Sequence, residues 1–164
     1  MFSLLSFISC RRIKDEGIKV YEDTKKSIKN KKDDVVDDLI STYDPNHPDT
    51  KYNRKRFSEF FLFSPTEDVK NLYCYADEMG IDHKYQFSFN CNPATIARIV
   101  NNLQLKKGTT SENRGIGLSV KFPWWDAALI ETLDPYYKTG EHETYWYLWY
   151  DGADQKAYYF SYDM

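Results

Sequence analysis

Thr144-Tyr145-Trp146-Tyr147-Leu148-Trp149-Tyr150, then Asp151-Gly152-Ala153-Asp154, then Ala157-Tyr158-Tyr159-Phe160-Ser161-Tyr162: this stretch decides the fold. Two runs of β-prone residues flank a cluster of turn formers, which is the signature of an antiparallel hairpin. Large rings occupy odd and even positions in both runs, so neither face of either strand suits water. Strands that are apolar on both faces belong inside a sheet and are covered on each side. The hairpin therefore predicts inner strands of an antiparallel sheet, and the rest of the chain must supply neighbours and covers.

Working outward, Lys84-Tyr85-Gln86-Phe87-Ser88-Phe89-Asn90-Cys91 alternates with period two and reads as a strand, partnered by another near 70–76. Asn92 can cap a helix whose first turn holds Pro93, and Ile96, Ile99, Val100 and Leu103 form its single apolar face. That helix, 93–105, is expected to pack on one side of the sheet. Residues 108–115 read as a polar, mobile loop, Ile116–Phe122 as a short alternating strand. Trp125 or Asp126 should start a short helix through Leu129 and Ile130 that closes at Asp134-Pro135. Arg56–Phe63 reads as a short apolar helix or strand. Ser64-Pro65-Thr66-Glu67 has the form of a capping box and predicts at least one helical turn. The fold class is α+β: an antiparallel β-sheet with helices packed on it, preceded by a long polar N-terminal helix.

Three regions follow from composition. The globular domain is expected over 51–164. Before it, 11–50 reads as a polar helical stalk, with a lysine block at Lys25–Lys32 and an acidic block at Asp33–Asp38, ending in a linker at Asp44-Pro45-Asn46-His47-Pro48-Asp49. Charge runs of this kind are usually a solvated face, and paired prolines with Asp and Asn break the helix. Residues 1–10 are a short apolar run ending in Cys10. As a helix its first nine residues reach about 14 Å against a bilayer core of about 30 Å, so they cannot span it. Ser9 is a suitable small residue before a cysteine, Phe7 stands where Leu is usual, and no Lys or Arg precedes the run. A start upstream of Met1 is the expectation that would complete a signal. Cys10 is thus the candidate lipid-attachment site, which would place the domain at a cell-envelope membrane; the other reading takes Phe2, Leu4, Leu5, Phe7 and Ile8 as a buried or frayed N-terminal segment of a cytoplasmic protein.

The formal charge is −3 and no basic face is clustered, which argues against a nucleic-acid partner. Only 7 glycines occur, and none forms a phosphate-cradling loop or a dinucleotide fingerprint. His47, His83 and His142 are scattered without metal-ligand spacing, so neither a metal nor another cofactor is expected. Cys74 and Cys91 read as buried thiols, with a disulfide between them as the other reading. No nucleophile–base motif is present, and no catalytic residue is assigned. Glu131, Glu141 and Glu143 are the carboxylates that a glycan hydrolase would need as a convergent pair; solvation of loop entries explains them as well.

With 14 Tyr, 10 Phe and 4 Trp, aromatic rings dominate the chemistry. Phe122-Pro123-Trp124-Trp125-Asp126 and Pro135-Tyr136-Tyr137 place rings beside loops, where they bind sugars, stacked bases or partner proteins. Trp124, Trp125, Tyr136 and Tyr137 are the candidate ligand- or partner-binding residues. More often such pairs split, with one ring in the core and one at the rim.

The string Phe122-Pro123-Trp124-Trp125-Asp126, together with Tyr145–Asp151, Ala157–Phe160 and the cysteine-led N-terminus, resembles small bacterial lipoproteins of unassigned function. The likeness covers most of 50–164. It bears on location and fold, its motifs being packing motifs rather than catalytic ones; the functional expectation beside it is a membrane-tethered binding or interaction domain without catalysis. By analogy with small proteins that neutralise secreted toxins, it also admits an immunity protein with a protein partner. A cell-envelope hydrolase is the remaining alternative.

Overall fold

The aromatic hairpin forms the last two strands of a single sheet. The structure, a computed structural model, describes residues 44–78, 83–141 and 143–163. The polar helix expected before residue 44 and Cys10 lie outside the described residues, as does His142. In chain order the strands are β1 (Lys70–Asp77), β2 (Lys84–Asn90), β3 (Lys106–Lys107), β4 (Tyr136–Thr139), β5 (Tyr145–Asp151) and β6 (Lys156–Tyr162). The helices are α1 (Lys51–Phe61), α2 (Pro93–Leu103) and α3 (Ala127–Ile130). All strand pairs are antiparallel, in the order β1-β2-β6-β5-β4-β3. The α+β architecture with helices on an antiparallel sheet is therefore present in the described residues, and β5 and β6 are inner strands as expected.

Alternation sorts the rings into two cores. On the front face Phe87, Phe89, Leu148 and Tyr159 lie under α1 and α2, which contribute Phe57, Phe61, Ile96 and Ile99. On the back face Tyr147, Trp149, Tyr158 and Phe160 meet Ile116, Trp124, Trp125 and Ile130. Trp149, Tyr159 and Phe160 are all 0% exposed, so the hairpin is sealed on both sides. Burying each such side chain is worth about 1.5–3 kcal/mol, and edge-to-face rings add to it.

The Arg56–Phe63 ambiguity resolves as a helix. Asn53, Phe57 and Phe61 recur every four residues on one buried face, and the Thr50 hydroxyl caps the start by accepting from the Asn53 N–H at 3.1 Å. The helical turn expected at Ser64–Glu67 is instead a tight turn closed by Val69 N–H on the Thr66 carbonyl. Asp68 explains the change. Its carboxylate accepts from the Asn92 N–H (2.9 Å) and the Thr95 hydroxyl (2.8 Å), so it serves the N-terminus of α2. The α2 helix begins with Asn92 as cap and Pro93 in the first turn, as the sequence predicts.

The strand expected over Ile116–Phe122 is not one. Gly115 takes a left-handed φ of +78°, Ile116–Leu118 form a 3₁₀ turn, and the following residues cross the back face. A side chain provides the pairing that a neighbouring strand would have given. The buried Gln86 carboxamide accepts from the Val120 N–H at 2.7 Å and donates to the Val120 carbonyl at 3.1 Å. The preceding loop is pinned as well: Asn113 donates to the Leu133 carbonyl and accepts from the Trp149 indole N–H at 2.8 Å. Tyr136–Thr139 and Lys106–Lys107, which the sequence left as loop and helix end, are strands β4 and β3.

The turn at Asp44–Asp49, expected as a linker outside the core, is tied to the domain. The Asp49 N–H donates to the Leu72 carbonyl, and its carboxylate accepts from the Asn71 and Leu72 N–H groups. Buried Asn53 donates to the carbonyls of His47 and Leu72, and the Trp124 indole donates to the Pro45 carbonyl at 2.6 Å. Cys74 and Cys91 are free, buried thiols. Burial pushes Cys91 up to about 12 and raises Cys74 as well.

Candidate functional site

On the front face a cleft of about 600 Å³ runs along α2 and is lined on its other side by residues of β4 and β5. One wall is a second stripe of α2. Ala97, Val100, Asn101 and Gln104 follow the i, i+3, i+4, i+7 spacing of one helix face, beside the stripe that packs on the sheet. The other wall is Tyr136 of β4 and Tyr150 of β5, with Ile96 and Leu105 at the base.

Local hydrogen bonds fix both walls. Gln104 ends α2 in the left-handed region at φ +56°, its N–H bonded to the Asn101 carbonyl, while the Leu105 N–H returns to the Val100 carbonyl at 2.9 Å. The chain turns sharply there, which lets Lys106 and Lys107 pair with β4. The Tyr150 hydroxyl donates to the Cys91 carbonyl at 3.0 Å, holding its ring upright against the start of α2. Burial, reinforced by nearby Cys91 and Asp151, raises the Tyr150 phenol above its ordinary pKa, so it stays a donor. Every residue lining the cleft is uncharged: apolar side chains at the base, two phenols, and the exposed carboxamides of Asn101 and Gln104 at the rim.

The four sequence-predicted binding residues divide between the faces. Tyr136 lines the cleft. Its neighbour Tyr137 points to the back, stacked on Tyr147 with ring centroids 6.3 Å apart and the Lys106 ammonium 4.6 Å from its ring. Trp124 and Trp125 lie together, centroids 6.2 Å apart, and each is 6% exposed. Trp124 is sandwiched between Tyr73 and Phe122, whereas Trp125 presents its edge to Tyr158 and donates to the Ser119 hydroxyl. Glu131 ends α3, Glu141 and Glu143 lie in the β4–β5 turn, and all three are exposed and outside the cleft. Among the described residues no group of His, Cys, Asp or Glu could hold a metal ion, and no helix is long and apolar enough to cross a membrane.

Tyr150, Asn101 and Gln104 were not singled out from the sequence. The signal was there in α2, whose spacing supports two adjacent stripes. Only the deeper one announces itself by hydropathy. Compared with protein-family models, curated proteins and solved structures, the chain matches none.

Proposed function

We propose that the chain is a non-catalytic binding domain, held at a cell-envelope membrane by lipid on Cys10, whose front cleft takes an uncharged, largely apolar group of a protein partner. The observation that carries the reading is the uncharged lining of the α2–β4–β5 cleft. A charged group entering it would lose water without gaining an opposite charge, whereas an aromatic or aliphatic side chain meets Ile96, Val100 and two tyrosine rings. The Asn101 and Gln104 carboxamides at the rim suit a backbone passing over the cleft, since each offers both donors and an acceptor. The cleft volume suits one or two side chains or a small ligand.

Small probes test the cleft directly. Indole and p-cresol, titrated into isotope-labelled full-length protein, are expected to give saturable NMR shifts at Ala97, Gln104, Tyr136 and Tyr150. Tyr136→Ala should abolish them. Equal binding by the charged analogues indole-3-acetate and p-hydroxybenzoate, or no saturable shift, overturns the assignment. The tether is tested separately. Cys10→Ser should move the protein from the membrane fraction to the soluble fraction of its native host; a wild type already soluble and unmodified by mass spectrometry refutes it.

A further inference from the structure

A second depression, of about 400 Å³, lies on the opposite face of the sheet and has a different chemistry. Three carboxamides (Asn46, Asn71, Asn90), the Lys156 ammonium and the rings of Tyr73 and Trp124 line it. Its construction is specific. The β1–β2 register breaks between Lys70 and Tyr73, and within that bulge Asn71 takes a left-handed φ of +50°. Bulges of this kind re-aim side chains. The re-aimed Asn71 amide donates to the Asn90 Oδ1 at 3.1 Å, and the Asn90 amide donates onward to the Asp154 carbonyl at 3.2 Å. This relay orients both carboxamides, and the Asn71 Oδ1 remains outside it as an acceptor. Lys156 rests with its ammonium 5.1 Å from the Tyr158 ring and has no ion pair among the described residues.

The aromatic side is equally ordered. Phe122, Trp124 and Tyr73 form a stack, with centroid separations of 4.7 and 5.4 Å and interplanar angles of 4° and 14°. Tyr73 forms one end of the stack, is half-buried and lines the depression. Lys156 lines the depression, yet carboxylates stand beside two other lining residues: Asp44, which also pairs with His47, bonds the Asn46 N–H, and Asp49, 3.5 Å from the Arg54 guanidinium, bonds the Asn71 N–H. What remains is a ring face beside mixed neutral donors and acceptors and one strong donor. Such a surface matches a pyranose, whose C–H face stacks on a ring while its hydroxyls both give and accept hydrogen bonds.

We propose that this depression is a subsite for one residue of an uncharged saccharide, stacked at Tyr73 and hydrogen-bonded by Asn46, Asn71, Asn90 and Lys156. It lies across the sheet from the front cleft and does not depend on that cleft's reading. The test is an NMR titration of the labelled full chain with chitotriose, cellotriose and maltotriose, and in parallel with inorganic phosphate. At least one trisaccharide should give saturable shifts at the side-chain amides of Asn46, Asn71 and Asn90 and at the Trp124 indole N–H. A dissociation constant on the order of 1 mM is expected for so open a site. Asn46→Ala and Lys156→Ala, both peripheral to the core, should each weaken it about tenfold while leaving the thermal midpoint near wild type. Tyr73→Ala should remove binding. Saturable shifts with phosphate alone, no saturable shift with any trisaccharide, or unchanged affinity in both peripheral variants overturns the proposal.

Discussion

Phe160 and Trp146 were equivalent as letters in an aromatic hairpin, yet their surroundings differ. Phe160 is 0% exposed and packed against Trp125 and Tyr162. Trp146 is half-buried on the front face, with Lys138 5.6 Å from its ring. Phe160→Ala should cost about 3–5 kcal/mol, the range for a ring removed from a closed core. Trp146→Ala should cost clearly less, because solvent already touches the ring and can fill the space left. Urea unfolding of both variants checks the order, and equal losses would contradict it. At this scale the sequence was legible in kind but not in degree. Alternation told which rings share a face; it could not tell how completely each ring is covered, since that depends on which distant segments pack over it. Trp124 and Trp125 show the same limit, because a Pro-Trp-Trp loop reads alike whether its rings face water or, as here, other rings.

At the scale of elements, the segment after Gly115 is the instructive case. Its hydropathy alternates like a strand, but a strand needs a free edge to pair with, and the back face of an inner sheet offers none. Gln86 substitutes one side chain for a ladder, holding Val120 by both its N–H and its carbonyl. No periodicity reveals a carboxamide playing that part. The expected consequence is specific: Gln86→Leu keeps the volume but strands two backbone groups, costing about 1–3 kcal/mol. The loss should appear first as faster amide exchange at Val120 and altered Trp125 fluorescence, since Trp125 bonds Ser119 next door. Protection at Val120 unchanged in the variant would show that the segment holds itself. The hairpin, the β1–β2 pair and α2, by contrast, were legible because local propensity, caps and periodicity agree in each. Strands β3 and β4 were not, being only two and four residues long and set by pairing, β4 with β5 and β3 with β4.

For the whole molecule, the boundary of the folded unit lies further upstream than composition suggests. Residues Pro45–Asp49 share hydrogen bonds with α1, β1 and Trp124, most of them accepted by the turn, so a fragment starting at residue 44 should melt well above one starting at 51. Identical melting points would return this turn to the status of a linker. Alkali should also unfold the protein. Burial pushes the phenols of Tyr85, Tyr147 and Tyr158 up to about 12, from an ordinary 10.0, with Glu78 adding to the effect at Tyr85. Below pH 10 these phenols are protonated whether folded or not, and stability is unaffected. Between 10 and 12 the unfolded chain loses the protons first, so stability falls across that interval. A melting temperature independent of pH over this range would contradict the burial of these hydroxyls.

The brevity of β3 bears on behaviour that no single folded copy displays. An outer strand is a template on which another chain can add, and polymerisation of β proteins commonly starts there. Here the sheet closes at that side with two lysines, Lys106 and Lys107, and the stretch of β4 they leave uncovered begins with Lys138. A second copy adding in register would line up ammonium groups within a strand spacing of about 4.8 Å. The cost is electrostatic, and therefore salt-dependent. Replacing all three lysines with valine should leave the fold intact yet promote self-association, seen as higher sedimentation coefficients and thioflavin binding. Concentrated salt should push the unaltered chain in the same direction. At this border of the sheet, resistance to strand addition rests on three charges.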